Sequence, residues 1–210
     1  MTPLFPLPNV VLFPGMLLPL HIFEARYLQM VQECLDEDRP FGIQLCRSYD
    51  PITLVGEPLD VGTLAVIIDH DFLPDGKINV LVEGTERFRV ITYDETSKPY
   101  LQGDTITLRD EETALSAPEL FTKTFDLFQD AMRLSYKILG KCYESVEIPE
   151  DAQTLSFFIA EHLKGSLVLK QELLEMTSVE ARLKAEHEVF TRMVKSLAVQ
   201  AQIEDAFRED

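Results

Sequence analysis

Enzymes draw nucleophiles, bases and metal ligands from histidine, cysteine, serine, lysine and carboxylates held at fixed spacings. The four histidines of this 210-residue chain, His21, His70, His162 and His187, are scattered. His187-Glu188 opens like the zinc-binding HExxH helix. Thr191 stands where the second histidine is required, so the two ligands one helical turn apart are lost. Cys34, Cys46 and Cys142 are odd in number, widely spaced and without a CxxC. That argues against a disulfide framework and a zinc site, and fits thiols in a reducing cytosol. Gly140-Lys141 looks like the end of a phosphate-binding loop, but Cys142 replaces the Ser/Thr and Ser135 stands at the first glycine. Asp71 and Asp75-Gly76 sketch a calcium loop, yet Leu73 occupies a ligand position and Val82 replaces the bidentate glutamate. There is no GxSxG elbow and no SxxK pair. The expectation is a chain with no catalytic, cofactor-binding or metal-binding residues and no cofactor.

Any function must therefore come from surfaces that the elements build. The uncharged opening MTPLFPLPNVVLFPGMLLPLHIF fails as a signal peptide, lacking a positive n-region, and its prolines interrupt any membrane helix. Residues 4–8 and 16–22 read as the first pair of strands, joined by the Pro14-Gly15 turn, with Pro6 and Pro8 leaving one edge without donors. Glu24–Asp38 has helical spacing and 41–46 is a short strand. Residues 47–60 carry Pro51, Gly56 and Pro58 and read as a loop. Strands 61–69 and 77–84 flank the Pro74-Asp75-Gly76 turn as a hairpin, and 87–94 and 100–108 add two more. Many short strands with one helix suit a small closed or half-closed barrel.

The period then switches to that of helices. Ser116 and Glu119 open a helix with Phe121, Phe125, Phe128, Met132, Tyr136 and Leu139 on one face and Gly140 as its stop. Helices over 151–164 and 167–175 follow, and Thr177 with Glu180 caps a long one reaching about Phe207. This half reads as a helical bundle. The fold class is α+β, with a barrel lobe over 1–110 and a helical lobe over 111–210. The net charge of −17 repels phosphate backbones and anionic membranes, so nucleic acid is an unfavoured partner.

FPLPNVVLFPGMLLPLHIFEARY (5–27), VGTLA (61–65), LPDGKINVLVEGTERFRV (73–90) and KQELLEMTSVEARL (170–183) together resemble the LON domain, the amino-terminal substrate-binding domain of Lon proteases. The resemblance reaches across nearly the whole chain. It implies that the barrel is PUA-like, and that the protein binds unfolded or extended polypeptide or docks a proteostasis partner such as a protease or chaperone. It also implies a bacterial, cytoplasmic, standalone LON-domain protein: the Walker A and Ser–Lys peptidase motifs are absent, and it is not expected to be an enzyme. An RNA-binding role, which PUA-like barrels often have, is opposed by the charge. An enzyme with an unrecognised site would need a cleft of converging polar groups. Tyr49, Ile52 and Leu54 in the 47–60 loop, and Phe72 and Leu73 at the hairpin tip, are the candidate partner contacts, because exposed apolar loop residues beside strand edges suit an added peptide strand.

Overall fold

A computed structural model describes residues 1–50, 55–112 and 118–208. The chain falls into two compact units: 1–109 with 161–175, and 110–160 with 176–210. The sequence reading ran the helical lobe unbroken from 111 to 210, whereas the short segment 161–175 clusters with the barrel.

The first unit contains β1 (Thr2–Leu7), β2 (Leu17–Ile22), α1 (Ala25–Asp36), β3 (Phe41–Asp50), β4 (Val55–Phe72), β5 (Ile78–Asp94) and β6 (Gln102–Thr107). The strands order as β2-β5-β4-β3-β1-β6, and β6 pairs back onto β5, which closes the sheet into a barrel. β5 makes this closure by its length. Residues 78–83 pair with β2, and residues 88–94 pair with β6. Between them lies Gly84, where a Cβ would be driven into the Phe13 carbonyl oxygen, so only glycine permits the approach. Gly84 also donates to the Met16 carbonyl at 2.9 Å.

β1 and β2, read from the sequence as a strand pair, do not pair with each other. β1 runs parallel to β3, with Pro6 opposite Gln44, and β2 runs antiparallel to β5. The intervening Val11, Leu12 and Phe13 are buried, and apolar burial there replaces a hairpin ladder. The Leu4 amide donates to Leu101 on the β6 side. By strand alternation Pro6 presents its donor-free nitrogen to that same edge, beyond the two β1 residues that β6 pairs. The second correction concerns residues 47–60. β3 and β4 extend into this stretch as a paired hairpin, with Ser48 opposite Glu57 and Asp50 opposite Val55. Pro58 is tolerated because it sits where the register shifts, beside Cys46.

α1 buries Tyr27, Met30, Val31 and Cys34 against Phe5, Phe41, Ile43, Val80 and Val82. Its Glu33 accepts hydrogen bonds from Tyr100 Oη at 2.5 Å, Gln29 at 2.8 Å and Lys98 at 3.0 Å. These bonds, Tyr100 first, hold its carboxyl down at about 2 against a usual 4.5. A depressed carboxyl contributes stability that is present above the unfolded value and lost as pH falls through the folded one. Glu33→Gln is therefore expected to lose stability at neutral pH and to flatten the acid limb between about pH 4.5 and 2, read from thermal melts at stepped pH.

The second unit packs α2 (Glu119–Ile138), most of α3 (Ala152–His162) and α5 (Val179–Arg208). Phe128 makes edge contacts with Phe158 at 5.4 Å and Phe190 at 5.8 Å. Gly140 ends α2 with φ 65°, as its position predicts. The cap of α5 differs from the sequence reading. Ser178 Oγ accepts from the Ala181 amide, while Thr177 Oγ1 donates to Glu111. Ser116 lies outside the described residues.

Glu186, on α5, is fully buried with no hydrogen-bond partner on either carboxylate oxygen. Burial pushes its carboxyl well above the ordinary range, against the opposing pull of Arg182 one turn earlier. A raised folded value favours folding only toward low pH, and that contribution is lost as pH rises past the unfolded value. Glu186→Leu is expected to raise stability at pH 7 by about 1–3 kcal/mol, because an unsatisfied buried polar group is removed. The gain should shrink in acid, as measured by urea denaturation.

Candidate functional site

α4 (Leu167–Glu175) belongs to the barrel unit, and two buried polar side chains fasten it there. Arg87 Nη1 donates at 2.6 Å to the carbonyl of Leu174, one of the last carbonyls of the helix, which lack intrahelical partners. Gln171 Nε2 donates at 3.1 Å to the Val61 carbonyl of β4 and at 2.8 Å to Glu175 Oε1. Lys170 Nζ adds a bond at 2.7 Å to the Glu161 carbonyl. Leu173 and Leu174 are buried.

Beside the Gln171 tether, α4 is open at Val168, Glu172 and Glu175. Val168, Gln171, Glu172 and Glu175 recur at spacings of three, four and seven, one face of a helix, and line a groove of about 410 Å³. The facing wall comes from Pro8 after β1, from Leu45, Cys46 and Arg47 of β3, and from Leu59 of β4. This wall is the base of the β3–β4 hairpin. Gln44 fixes it from behind, donating at 2.6 Å to the Leu59 carbonyl.

The groove is apolar along its walls and acidic at one rim. Val168 is 67% exposed on the α4 wall. Burial pushes the Cys46 thiol up to about 11, so it packs as a small hydrophobe. Glu172 is exposed on the α4 rim. Arg47 lies on the opposite wall from β3 and, among the described residues, is held by a loose 3.9 Å pair with Glu57. Gln171 is 5% exposed, and its Oε1 has no hydrogen-bond partner. Its orientation is not interchangeable: both contacts of Nε2 are to acceptors, so the amide nitrogen must face them and the oxygen must face away.

A second cavity, of about 260 Å³, lies beside the donor-free edge of β1 and is lined by Pro6, Arg26, Tyr27, Lys98 and Tyr100 among others. Its two cations are already engaged. Arg26 bonds Glu24 at 2.7 Å, and Lys98 bonds Glu33.

Of the residues singled out from the sequence, Phe72 and Leu73 fall elsewhere. Phe72 ends β4 and is 53% exposed, in edge contact with His70 at 5.3 Å. Leu73 opens the turn, its amide bonded to the Lys77 carbonyl. Neither lines the groove. Tyr49 lies in β3 with its backbone opposite Gly56, while Ile52 and Leu54 lie outside the described residues. Among the described residues no three His, Cys, Asp or Glu side chains gather to hold a metal. No described helix is long and apolar enough to cross a membrane. Sequence reasoning missed Val168, Gln171 and Glu172. Their i, i+3, i+4 spacing was the available signal, but it does not say which wall they face.

Comparison with known proteins converges on one family. Residues 1–192 match the model of the ATP-dependent protease La (LON) substrate-binding domain. The chain is 30% identical over 190 residues to the Lon protease of Escherichia coli strain K12, covering 86% of this chain and 23% of that protein. It is 30% identical over 210 residues to the Lon protease of Haemophilus influenzae, covering 98% of this chain and 25% of that protein. The chain thus spans about a quarter of the length of these curated relatives. Among solved structures, a Lon N-terminal domain protein from Xanthomonas campestris superimposes with a TM-score of 0.65 at 28% identity, covering 87% of this chain and 94% of that one. The N-terminal domain of the Mycobacterium avium complex Lon protease gives the same TM-score of 0.65 at 16% identity, covering 92% and 97%, and is a likeness of fold alone.

Proposed function

From the premise that the chain belongs to the LON substrate-binding domain family, we propose that it binds extended or unfolded polypeptide, without catalysing a reaction, in the groove between α4 and the base of the β3–β4 hairpin. The observation that carries this reading is the groove itself. It is an apolar trough with an exposed valine on one wall and leucines on the other, and its volume suits one or two side chains of a bound strand. Folded clients hide their apolar side chains, whereas unfolded ones present them, so such a trough discriminates by foldedness. The match lies on a substrate-binding domain, which supports recognition in place of catalysis. The reading extends to docking of a proteostasis partner through an unfolded tail. The net charge of −17 works against RNA, whose binding would be tight and salt-sensitive.

The test is fluorescence anisotropy of labelled apolar peptides, in parallel with a permanently unfolded protein. Val168→Asp is expected to weaken binding about tenfold or more, since burying a valine contributes about 1.5–3 kcal/mol, with an unchanged melting temperature because the side chain is already exposed. Absence of binding by any unfolded polypeptide would end the reading.

A further inference from the structure

We propose that the groove selects apolar segments flanked by lysine or arginine, with Glu172 as the residue that sets this preference and Gln171 as the acceptor that anchors the bound backbone. The inference rests on the polypeptide-binding reading and adds the chemistry of the occupant. Two observations point to it independently.

The first is the orphaned acceptor. Both bonds of the Gln171 amide nitrogen are fixed, to Val61 and to Glu175, and the oxygen is left buried and unpartnered in a residue that lines the groove. A buried acceptor without a donor is unfavourable, and this one belongs to a residue that lines the groove, where an occupant can complete it. The complement is a donor, such as a backbone N–H of an extended strand. The oxygen is out of solvent contact, and its bond forms when an occupant brings a donor to it.

The second is charge. Glu172 and Glu175 lie on the α4 rim, against the single cation Arg47 on the opposite wall, in a protein of net charge −17. Glu175 already accepts from Gln171 through Oε1, whereas the exposed Glu172 carboxylate accepts from no side chain among the described residues and is the freer to receive an incoming charge. A peptide with acidic flanks meets repulsion from this rim and from the whole surface. One with a lysine or arginine beside its apolar residue seats the cation on Glu172 while the apolar side chain fills the trough. Nucleic acid is excluded on the same ground, and a neutral apolar peptide is accommodated with lower affinity.

The experiment is competition anisotropy with one apolar core flanked by lysine, glutamine or glutamate. The expected order is lysine, glutamine, glutamate, with about fivefold between the extremes at low salt, the scale of exposed ion pairs, and a smaller span at high salt. Glu172→Lys is expected to reverse the order, a result that loss of structure cannot mimic. Gln171→Met is expected to weaken all three peptides while keeping the order. Equal affinities for the three flanks, or an order unchanged in Glu172→Lys, would overturn the inference and leave polypeptide binding standing. Failure of every peptide to bind would overturn both.

Discussion

Arg182→Met is expected to lower the stability of the helical unit by about 3–5 kcal/mol, the cost of removing one partner of a buried ion pair. The Arg182 side chain is wholly inaccessible and the Asp110 side chain is 6% exposed. All three guanidinium nitrogens donate, in four hydrogen bonds. Nε reaches Ser156 Oγ at 2.7 Å, Nη1 reaches Asp110 Oδ1 at 3.1 Å and the Met176 carbonyl at 2.9 Å, and Nη2 reaches Asp110 Oδ2 at 2.8 Å. Its face lies 4.1 Å from the Phe157 ring centroid. The fork therefore ties three places: Asp110, where the unit begins, Ser156 and Phe157 on α3, and the carbonyl of Met176 just before α5. Methionine fills the space but leaves the Asp110 carboxylate buried without its cation. Adding Asp110→Leu to Arg182→Met is expected to recover much of the loss, since replacing both partners removes the stranded charge. Urea denaturation of the two single variants and the double variant checks this. Additive losses would contradict it.

The second large effect concerns the groove. Arg87→Met is expected to cost about 2–3 kcal/mol, as for a buried hydrogen bond from a charged donor, and to free the C-terminal end of α4. Arg87 is 3% exposed and its bond to the Leu174 carbonyl spans 87 residues of chain. Without it the helix keeps the Gln171 and Lys170 bonds but loses the tether at its last turn. Since α4 is one wall of the groove, peptide affinity should fall along with stability, unlike in Val168→Asp, where affinity alone falls. Amide hydrogen exchange separates the two. In Arg87→Met the amides of 167–175 should lose protection while those of α5 keep theirs. Unchanged protection of α4 would mean that the tether is not what holds the wall.

Much of the barrel was legible because its signals are local. The Pro74-Asp75-Gly76 turn and the glycine stop of α2 announce themselves within a few residues and are found where expected, whereas 77–84 and 87–94, read as two strands, form the single strand β5. Three things were not local. The partnering of β1 with β3 and of β2 with β5 depends on which distant strands bury the 11–13 segment, so adjacency in sequence misleads. Residues 47–60 carry two prolines and a glycine, and a bulge absorbs Pro58 that a flat ladder would reject. The cap of α5 moved by one residue because Thr177 is taken by Glu111, 66 positions away. The groove was the least legible part. Its two walls, 45–47 with Leu59 on one side and α4 on the other, lie more than a hundred residues apart. A lone glutamine on a leucine-rich helix becomes conspicuous only once both hydrogens of its amide are seen to be spent on Val61 and Glu175. The apolar residues that drew attention instead, Phe72 and Leu73, stand at a hairpin where exposure is ordinary.

The most direct measurement of the central claim is photo-crosslinking to a permanently unfolded polypeptide from single benzophenone probes placed at positions 168, 59 and 72. Crosslinks are expected from 168 and 59, on the two walls of the groove, suppressed by excess lysine-flanked apolar peptide, and none above background from 72. Crosslinks from 72 alone, with none from 168 or 59, would contradict it and move the binding surface to the β4–β5 hairpin.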